Sequence, residues 1–175
     1  IIEARINEYM QRDENPHVPW TPAEIAQAAA DCRAEGASIV HYHVRNPDGS
    51  PCHDPEMYND ALRRIRDACD ILVHPTLGQV TIKGDEARLH HIVETQNDPI
   101  LKPDFAPIDM GSTNVDRFDS VAKAYRTDDL AYVNSIGTLQ FFARRMRELG
   151  VKPELVSWTV PFTRTIEAFL EMGLV

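Results

Sequence analysis

Two histidines separated by one residue are the side chains in this sequence best placed for metal chemistry. His41 and His43 lie among β-forming residues that end at an Asn-Pro-Asp-Gly turn signal. This pattern predicts a short strand over residues 38–45, in which alternate side chains share a face. Two imidazoles about 7 Å apart along one face can reach a single divalent ion. The spacing therefore indicates a candidate metal site.

The histidine pair also has a simpler interpretation, because a His-x-His tripeptide is common by chance and a histidine in a strand is usually a core or surface residue. Its position favours metal binding, since the pair precedes a glycine-containing turn at a strand-to-loop junction, where α/β enzymes place their chemistry. Zinc needs at least one further protein ligand, usually a carboxylate. The sequence supplies no unambiguous one.

The composition is that of an ordinary globular protein. The 175 residues are 43% hydrophobic and 26% charged, which is enough for one core. The 18 basic and 27 acidic residues give a net charge of −9, which argues against binding to nucleic acid or an anionic membrane. The three cysteines lack C-x-x-C spacing and predict reduced thiols. Without a membrane-length apolar run, we expect a cytoplasmic protein.

Strand and helix patterns alternate along the chain. Period-2 alternation predicts a first strand in residues 1–8. Thr21, Pro22 and Glu24 form a capping box that begins a helix. The predicted helices are 22–35, 55–69, about 85–93, 136–149 and 163–172. The other predicted strands are 71–78, 103–109 and 153–158. Residues 111–135 are predicted to be a long loop with a short helix around 117–124, and no hairpin is expected.

Five βα units in this order predict a parallel sheet with right-handed crossovers. Both a doubly wound open sheet and part of a barrel fit the order. The glycine-rich dinucleotide and phosphate-loop motifs are missing, which removes the easiest reasons to prefer the open sheet. A full barrel needs about 250 residues. We therefore predict an α/β fold, a (β/α)8 TIM barrel. Residues 1–175 would form a single barrel domain with the first five βα units, its C-terminal part lying outside this chain.

In either architecture the carboxyl ends of the strands meet at one rim, where catalytic loops gather. Eight polar or glycine positions would converge there: Glu8, His41, His43, Arg45, Thr76, Gly78, Asp109 and Ser157. At this rim Arg45 could bind an anion or form a structural ion pair, and Asp109 could be a strand-end cap or a ligand. His74, which precedes a proline, is expected to have a hydrogen-bonded core role.

The spaced combination of motifs resembles the bacterial beta-keto acid cleavage enzymes over all 175 residues. It comprises Glu8 after the first strand, T-P-x-E at 21–24, H-x-H-x-R at 41–45 and K-P-E at 152–154. The resemblance implies a (β/α)8 barrel that binds Zn²⁺ through His41 and His43. It also implies a transferase that reacts a β-keto acid with acetyl-CoA and gives acetoacetate and a CoA thioester. The resemblance further implies that the protein is a homo-oligomer.

The resemblance implies roles for further residues. Glu8 falls where the family holds a substrate's amino group, and Thr76 and Gly78 fall where a Ser-Thr-Gly-Gly run helps to bind the substrate carboxylate. Asp109 stands where an asparagine is common. We therefore expect substrate contacts at Glu8, Arg45, Thr76, Gly78 and Asp109. The third zinc ligand and the catalytic residues are expected in a C-terminal stretch outside this chain.

Two other functions remain open at this point. A zinc amidohydrolase also uses His-x-His on a barrel strand, although there the pair is on the first strand and here a complete βα unit precedes it. A non-catalytic α/β subunit with incidental rim histidines is the third possibility. The expected partners are a small β-keto acid and acetyl-CoA, with no nucleic acid and no membrane.

Overall fold

The computed structural model describes residues 1–78 and 80–175, which form five helices and nine strands. The helices are α1 (Pro22–Ala34), α2 (Pro55–Ala68), α3 (Asp85–Glu94), α4 (Ile136–Leu149) and α5 (Val160–Glu171). The strands are β1 (Glu3–Arg5), β2 (Ile39–Tyr42), β3 (Leu72–Pro75), β4 (Phe105–Asp109), β5 (Thr113–Asn114), β6 (Phe118–Asp119), β7 (Ala124–Tyr125), β8 (Ala131–Tyr132) and β9 (Lys152–Val156).

The chain divides into two compact units. The first unit contains Ile1–Pro107 and Met146–Glu154, and the second contains Ile108–Arg145 and Leu155–Val175. A helix precedes each of β2 and β3, and β1, β2 and β3 of the first unit form one parallel sheet in the order β1-β2-β3. The predicted α/β class with a parallel sheet is confirmed, and closure into an eight-stranded barrel stays a prediction.

One face of this sheet is apolar and packs against α1 and α2. Val40, Tyr42 and Val73 lie in the same buried cluster as Ile25 of α1 and Ile65 of α2. Burial of these side chains supplies the main favourable term for folding. It leaves the opposite face of the sheet free to carry polar groups.

Strand β1 has one apolar face and one polar face. Ala4 and Ile6 pack against the apolar cluster. Because side chains alternate along a strand, Glu3 and Arg5 lie on the other face, and Arg5 is in register with His41. The polar residues of β1 therefore share the face of the histidines.

The predicted start of α1 is confirmed. The Thr21 hydroxyl accepts a hydrogen bond from the Glu24 N–H at 3.2 Å, and the Glu24 carboxylate accepts one from the Thr21 N–H at 2.9 Å. Arg12 also contacts this carboxylate, at 2.7 Å. Backbone N–H donation from Thr21, together with the Trp20 N–H and Arg12, lowers the pKa of Glu24 to about 2. The helices predicted at 55–69 and 136–149 are also confirmed, to within one residue.

The second unit corrects the prediction for residues 111–135. The expected helix around 117–124 is wrong, because β5 pairs with β8 and β6 with β7, both antiparallel. The expectation that hairpins are absent is wrong for the same reason. The Asp119 carboxylate accepts the Val121 and Ala122 N–H groups at 2.9 and 3.0 Å, which closes the turn between β6 and β7. Strands of two residues are too short to show an alternating pattern.

The three cysteines are free thiols. None of the helices in the described part of the chain combines the length and apolar character that crossing a bilayer requires.

Candidate metal centre

Three side chains converge at the carboxyl end of β2, and we call them the Glu8–His41–His43 cluster. The Nε2 atoms of His41 and His43 lie 3.1 Å apart. The Glu8 carboxylate places Oε2 at 3.3 Å from His43 Nε2 and Oε1 at 3.9 Å from His41 Nε2. These three residues offer ligand atoms that all lie within 4.8 Å of one another. The sequence placed both histidines on one face, and the structure brings the Glu8 carboxylate to the same point.

The local backbone explains how Glu8 reaches the histidines. Glu8 follows the end of β1 and has a φ of +40°, in the left-handed region that non-glycine residues rarely adopt. The Met10 N–H donates to the Asn7 carbonyl at 3.0 Å, which closes a turn around Glu8. The Arg45 guanidinium donates to the Glu8 carbonyl oxygen. The turn is therefore held from two sides.

The protonation states suit a divalent cation. Burial lowers the pKa of His41 and of His43 below the ordinary value of 6.5, so both imidazoles are neutral near pH 7. Burial alone would raise the pKa of Glu8, but its hydrogen bond with His43 and the charge of Arg5 bring the pKa below its usual value. Neutral imidazoles and an ionised carboxylate are the forms that ligate metals.

The distances also suit zinc. Two imidazole nitrogens bound to one tetrahedral zinc ion lie about 3.4 Å apart, from bond lengths of about 2.0–2.1 Å. The separation of 3.1 Å between the two Nε2 atoms is close to this value. The donor set thus fits zinc in chemistry, charge state and spacing.

A second polar group lies on the same face, around His74. The His74 imidazole is fully buried, and its Nδ1 atom lies 2.9 Å from Glu154 Oε2 and 3.2 Å from Glu3 Oε1. Burial alone would lower the pKa of His74, but its hydrogen bonds with Glu154 and Glu3 raise the pKa above the ordinary value. Arg5 contacts both carboxylates, at 3.3 and 3.2 Å.

Glu3, His41 and His74 also meet the distance criterion for a metal group. Around this group, however, the carboxylates of Glu3 and Glu154 face the Arg5 guanidinium and the His74 imidazole, whose pKa is raised above its ordinary value, so these carboxylates have cationic partners without a metal ion. We interpret this group as a structural ion network, in agreement with the core role expected for His74. The His74 ring contacts the His41 ring with centroids 4.7 Å apart, which places the network directly beside the cluster.

Thr76 and Gly78 form the loop that follows β3. The Thr76 N–H donates to the Tyr42 carbonyl at 3.1 Å, and the Gly78 N–H donates to the Thr76 hydroxyl at 3.1 Å. Gly78 has a φ of +59°, and a Cβ atom there would lie 2.6 Å from Cε1 of His53. The loop therefore requires glycine at this position. Its contact with a substrate carboxylate stays a prediction.

Arg45 lies beside the cluster and is only 2% exposed. Besides the Glu8 carbonyl, its guanidinium donates to the Gly49 carbonyl at 3.0 Å. Two nitrogens of the Arg45 guanidinium thus donate hydrogen bonds to backbone carbonyls, and these bonds fix the turn that carries Glu8. The expectation that Arg45 contacts an anionic substrate stays a prediction.

Asp109 and Ser157 belong to the second unit, where each has local partners. Asp109 accepts a hydrogen bond from the Tyr132 hydroxyl, and its carbonyl accepts one from the Asn134 side chain at 2.7 Å. The Ser157 hydroxyl lies 2.8 Å from that of Thr163. The substrate role of Asp109 stays a prediction. Tyr132 and Asn134 escaped sequence reasoning because they belong to the segment whose strands were not predicted.

Sequence reasoning also missed Glu3, Asn7 and Glu154, which the structure brings to the polar face. The available signal was strand parity, since Glu3 and Asn7 share the parity of Arg5. That signal could not be used while the inward face of β1 was undecided.

Comparison with known proteins gives a consistent result. A family model described as "beta-keto acid cleavage enzyme" matches residues 1–175. The chain is 34% identical over 145 residues to a 3-keto-5-aminohexanoate cleavage enzyme of Fusobacterium nucleatum, an alignment that covers 82% of this chain and 47% of that protein. It is 26% identical over 176 residues to a 3,5-dioxohexanoate:acetyl-CoA acetone transferase of Paraburkholderia graminis, covering 91% of this chain and 54% of that protein.

A third relative is a 3-dehydrocarnitine:acetyl-CoA trimethylamine transferase of Rhizobium meliloti, 26% identical over 183 residues, with 93% of this chain and 56% of that protein covered. The chain thus spans about half the length of the curated relatives it matches. Among solved structures, one described as "Apo structure of ObcA" aligns with a TM-score of 0.69 at 14% identity, over 91% of this chain and 34% of that one. At this identity the likeness shows a shared fold alone.

Proposed function

We propose, from the premise that the chain belongs to the beta-keto acid cleavage enzyme family, that it acts in the reaction of a β-keto acid with acetyl-CoA. The observation that carries the proposal is the Glu8–His41–His43 cluster, whose neutral imidazoles and ionised carboxylate converge at the carboxyl end of a parallel strand. The names of the two transferase relatives, which include acetyl-CoA, support the choice of co-substrate.

The proposed reaction exchanges acyl groups between two carbon skeletons. The carbon–carbon bond between the keto carbon and the carboxymethyl group of the β-keto acid breaks, and the carboxymethyl carbon bonds to the acetyl carbonyl carbon of acetyl-CoA. The C–S bond of acetyl-CoA breaks, and the CoA sulfur bonds to the former keto carbon. The products are acetoacetate and the CoA thioester of the remaining acyl group. Family membership favours this transfer over the hydrolase and the non-catalytic alternatives.

We propose that His41 and His43 hold Zn²⁺, with the Glu8 carboxylate within reach of the same ion. Bound zinc would supply Lewis acidity toward the keto oxygen and so favour developing negative charge there. The two imidazoles stay neutral near pH 7 because they are buried, so they need not lose a proton before they ligate.

The other residues at the strand ends would orient the substrate. Thr76 and Gly78 form a loop fixed by an internal hydrogen bond, and we propose that this loop borders the substrate carboxylate. Glu8 and Arg45 would contact polar groups of the substrate, an amino group in the case of Glu8. The substrate contact of Asp109 stays a prediction from the resemblance. The (β/α)8 barrel is part of the same proposal, supported by the strand-helix order and by the parallel pairing of β1, β2 and β3. Homo-oligomerisation stays a prediction from the resemblance, and a cytoplasmic location stays a prediction from the sequence.

The direct test is a panel of β-keto acids incubated with acetyl-CoA and the purified protein, with acetoacetate and the CoA thioester followed by mass spectrometry. We expect products only when acetyl-CoA is present, and about one zinc ion per chain by atomic absorption. Replacing His41 and His43 together by alanine should abolish both the zinc and the turnover.

The matched control is His90→Ala, which removes an exposed histidine on α3. This variant should keep wild-type zinc content and turnover. Substrate breakdown without acetyl-CoA would favour a hydrolase instead. Wild-type protein without zinc that is indifferent to loss of both histidines would contradict the proposed metal site.

A further inference from the structure

Asn7 is a buried polar residue that none of the proposed roles uses. It lies between the end of β1 and Glu8, and it is 2% exposed. Its Nδ2 atom donates to the His43 carbonyl at 2.7 Å and to the Pro19 carbonyl at 2.9 Å, and its Oδ1 atom accepts the His43 N–H at 2.8 Å. Three short hydrogen bonds thus use both donors and the acceptor oxygen of one carboxamide.

The bonds to His43 take the place of a neighbouring strand. Backbone pairing between β1 and β2 continues as far as the Ile6 N–H, which donates to the His41 carbonyl at 3.2 Å. Beyond Ile6 the chain turns away from β2 towards Glu8. At that point the Asn7 side chain forms hydrogen bonds with both the N–H and the C=O of His43. Without Asn7, these two backbone groups would lose the hydrogen bonds that compensate for their burial.

Asn7 therefore contacts the segments that carry two members of the cluster, His43 and Glu8. Its side chain fixes the backbone of His43, from which the imidazole projects. Its own backbone carbonyl closes the turn that carries Glu8, through the Met10 N–H at 3.0 Å. The bond to Pro19 ties the same carboxamide to the segment that precedes α1. The relative positions of the Glu8 carboxylate and the His43 ring thus depend on one amide group.

We propose that Asn7 is a positioning residue, which does not ligate the ion but holds Glu8 and His43 in the geometry that binds a divalent cation. The inference rests on the proposed function, because it assumes that the cluster binds metal. Partners that orient metal ligands without touching the metal typically contribute 10–100-fold to metal affinity. A residue that merely stabilised the fold would change the melting temperature and leave the affinity of the folded protein unchanged.

The test compares metal binding by the purified wild-type protein and two variants. Asn7→Leu has nearly the same size and removes all three hydrogen bonds. Asn7→Asp keeps an acceptor for the His43 N–H and loses both donors. The added negative charge of Asp would by itself strengthen cation binding, so a weaker affinity in this variant can come only from altered geometry. Co²⁺ is the probe, because its visible absorption reports the geometry of its ligands.

We expect Asn7→Leu to bind Co²⁺ about 10–100-fold more weakly than the wild type, with a changed visible spectrum. The matched control is Ile65→Ala, a truncation in the fully buried core on α2, which should lower the melting temperature but keep the wild-type affinity and spectrum. Should Asn7→Leu fail to fold, Asn7→Asp is judged by the same criterion.

The inference is overturned if Asn7→Leu binds Co²⁺ as tightly as Ile65→Ala does, with the wild-type spectrum. That result would leave the proposed function standing. A wild-type protein that takes up neither Co²⁺ nor Zn²⁺ would instead overturn the metal site and this inference together, so the two failures are distinguishable.

Discussion

At the scale of single residues, the cluster depends on imidazoles that are neutral because they are buried. Burial lowers the folded pKa of His41 and His43 below 6.5. Protons therefore compete with a metal ion only at a pH below that value. The charged forms would be repelled by the ion and could not donate a lone pair.

This predicts how zinc affinity depends on pH. Between about pH 7.5 and pH 6.5 the zinc affinity of the protein should fall by less than the roughly threefold loss expected for two histidines of ordinary pKa. The measurement is a zinc titration against a chelating dye at each pH. A synthetic peptide covering residues 39–45, whose histidines are exposed, is the control. Equal pH dependence for peptide and protein would contradict the prediction.

Gly78 allows a prediction about packing beside the cluster. Gly78→Ala adds a methyl group 2.6 Å from Cε1 of His53 at a φ of +59°, so it should lower the free energy of unfolding by about 2 kcal/mol or more. Gly36→Ala is the matched control, because Gly36 also has a positive φ but has no atom within 4 Å of the added carbon. Urea unfolding should show a smaller loss for Gly36→Ala. Equal losses would mean that backbone strain alone matters.

At the scale of elements, the start of α1 is the clearest case in which sequence determines structure. Thr21→Ala removes the hydroxyl that accepts the Glu24 N–H, so it should lower the free energy of unfolding by about 1 kcal/mol. Thr127→Ala is a useful comparison, since that hydroxyl also bonds within its own segment but caps no helix. The measurement is urea unfolding, and a wild-type midpoint for Thr21→Ala would contradict the prediction.

Helix α3 carries neighbouring histidines with opposite environments. His90 is exposed, whereas His91 stacks on Tyr58 with ring centroids 4.3 Å apart. Burial, with the charge of His53, lowers the pKa of His91 to about 3. The unfolded chain therefore binds a proton that the folded chain does not, and stability falls as the pH drops from 6.5 towards 3.

His91→Phe keeps an aromatic ring but removes this titration. Between pH 7 and pH 4 the free energy of unfolding should fall less in the variant than in the wild type. The difference between the two decreases should be at least about 1.4 kcal/mol, which corresponds to a pKa shift of one unit at His91. His90→Phe changes the exposed neighbour and should leave the pH dependence as in the wild type. Urea unfolding at each pH is the measurement. Parallel curves for His91→Phe and the wild type would contradict the assignment.

The sequence predicted those elements whose signals are local. Proline and capping residues mark the starts of α1 and α2, and the alternation around His41 marks β2. The ribbon formed by β5 to β8 was missed because its pairing depends on residues far apart in sequence, such as Thr113 and Tyr132. The stacking of His91 depends on packing against Tyr58 of α2, which a sequence pattern does not report.

At the scale of the whole molecule, the polar face of the first unit is closed by residues from opposite parts of the chain. Arg5 of β1 and Glu154 of β9 are 149 residues apart and meet at 3.2 Å. The sequence predicted both strands and could not predict that Glu154 would contact both Arg5 and His74. In the same way, the histidine pair was visible from spacing, whereas the roles of Glu3 and Asn7 required the fold.

Removing one charge from this network should destabilise the fold. Glu154→Gln leaves the buried His74 and the exposed Arg5 with one carboxylate fewer, so we expect a loss of about 1–3 kcal/mol in the free energy of unfolding. Glu167→Gln is the control, because Glu167 pairs with Arg164 at an exposed position on α5 and should cost less than about 0.5 kcal/mol. Chemical denaturation of both variants makes the comparison. Equal losses would show that the network contributes no more than a surface pair.

The contact between Arg5 and Glu154 has a consequence for synthesis. Strand β1 leaves the ribosome long before β9. Arg5 and His74 therefore lack the Glu154 carboxylate until residue 154 has left the exit tunnel. Pairing between such distant segments is slow compared with local helix formation. The nascent chain should therefore acquire its early helices during translation and complete this unit only when β9 emerges.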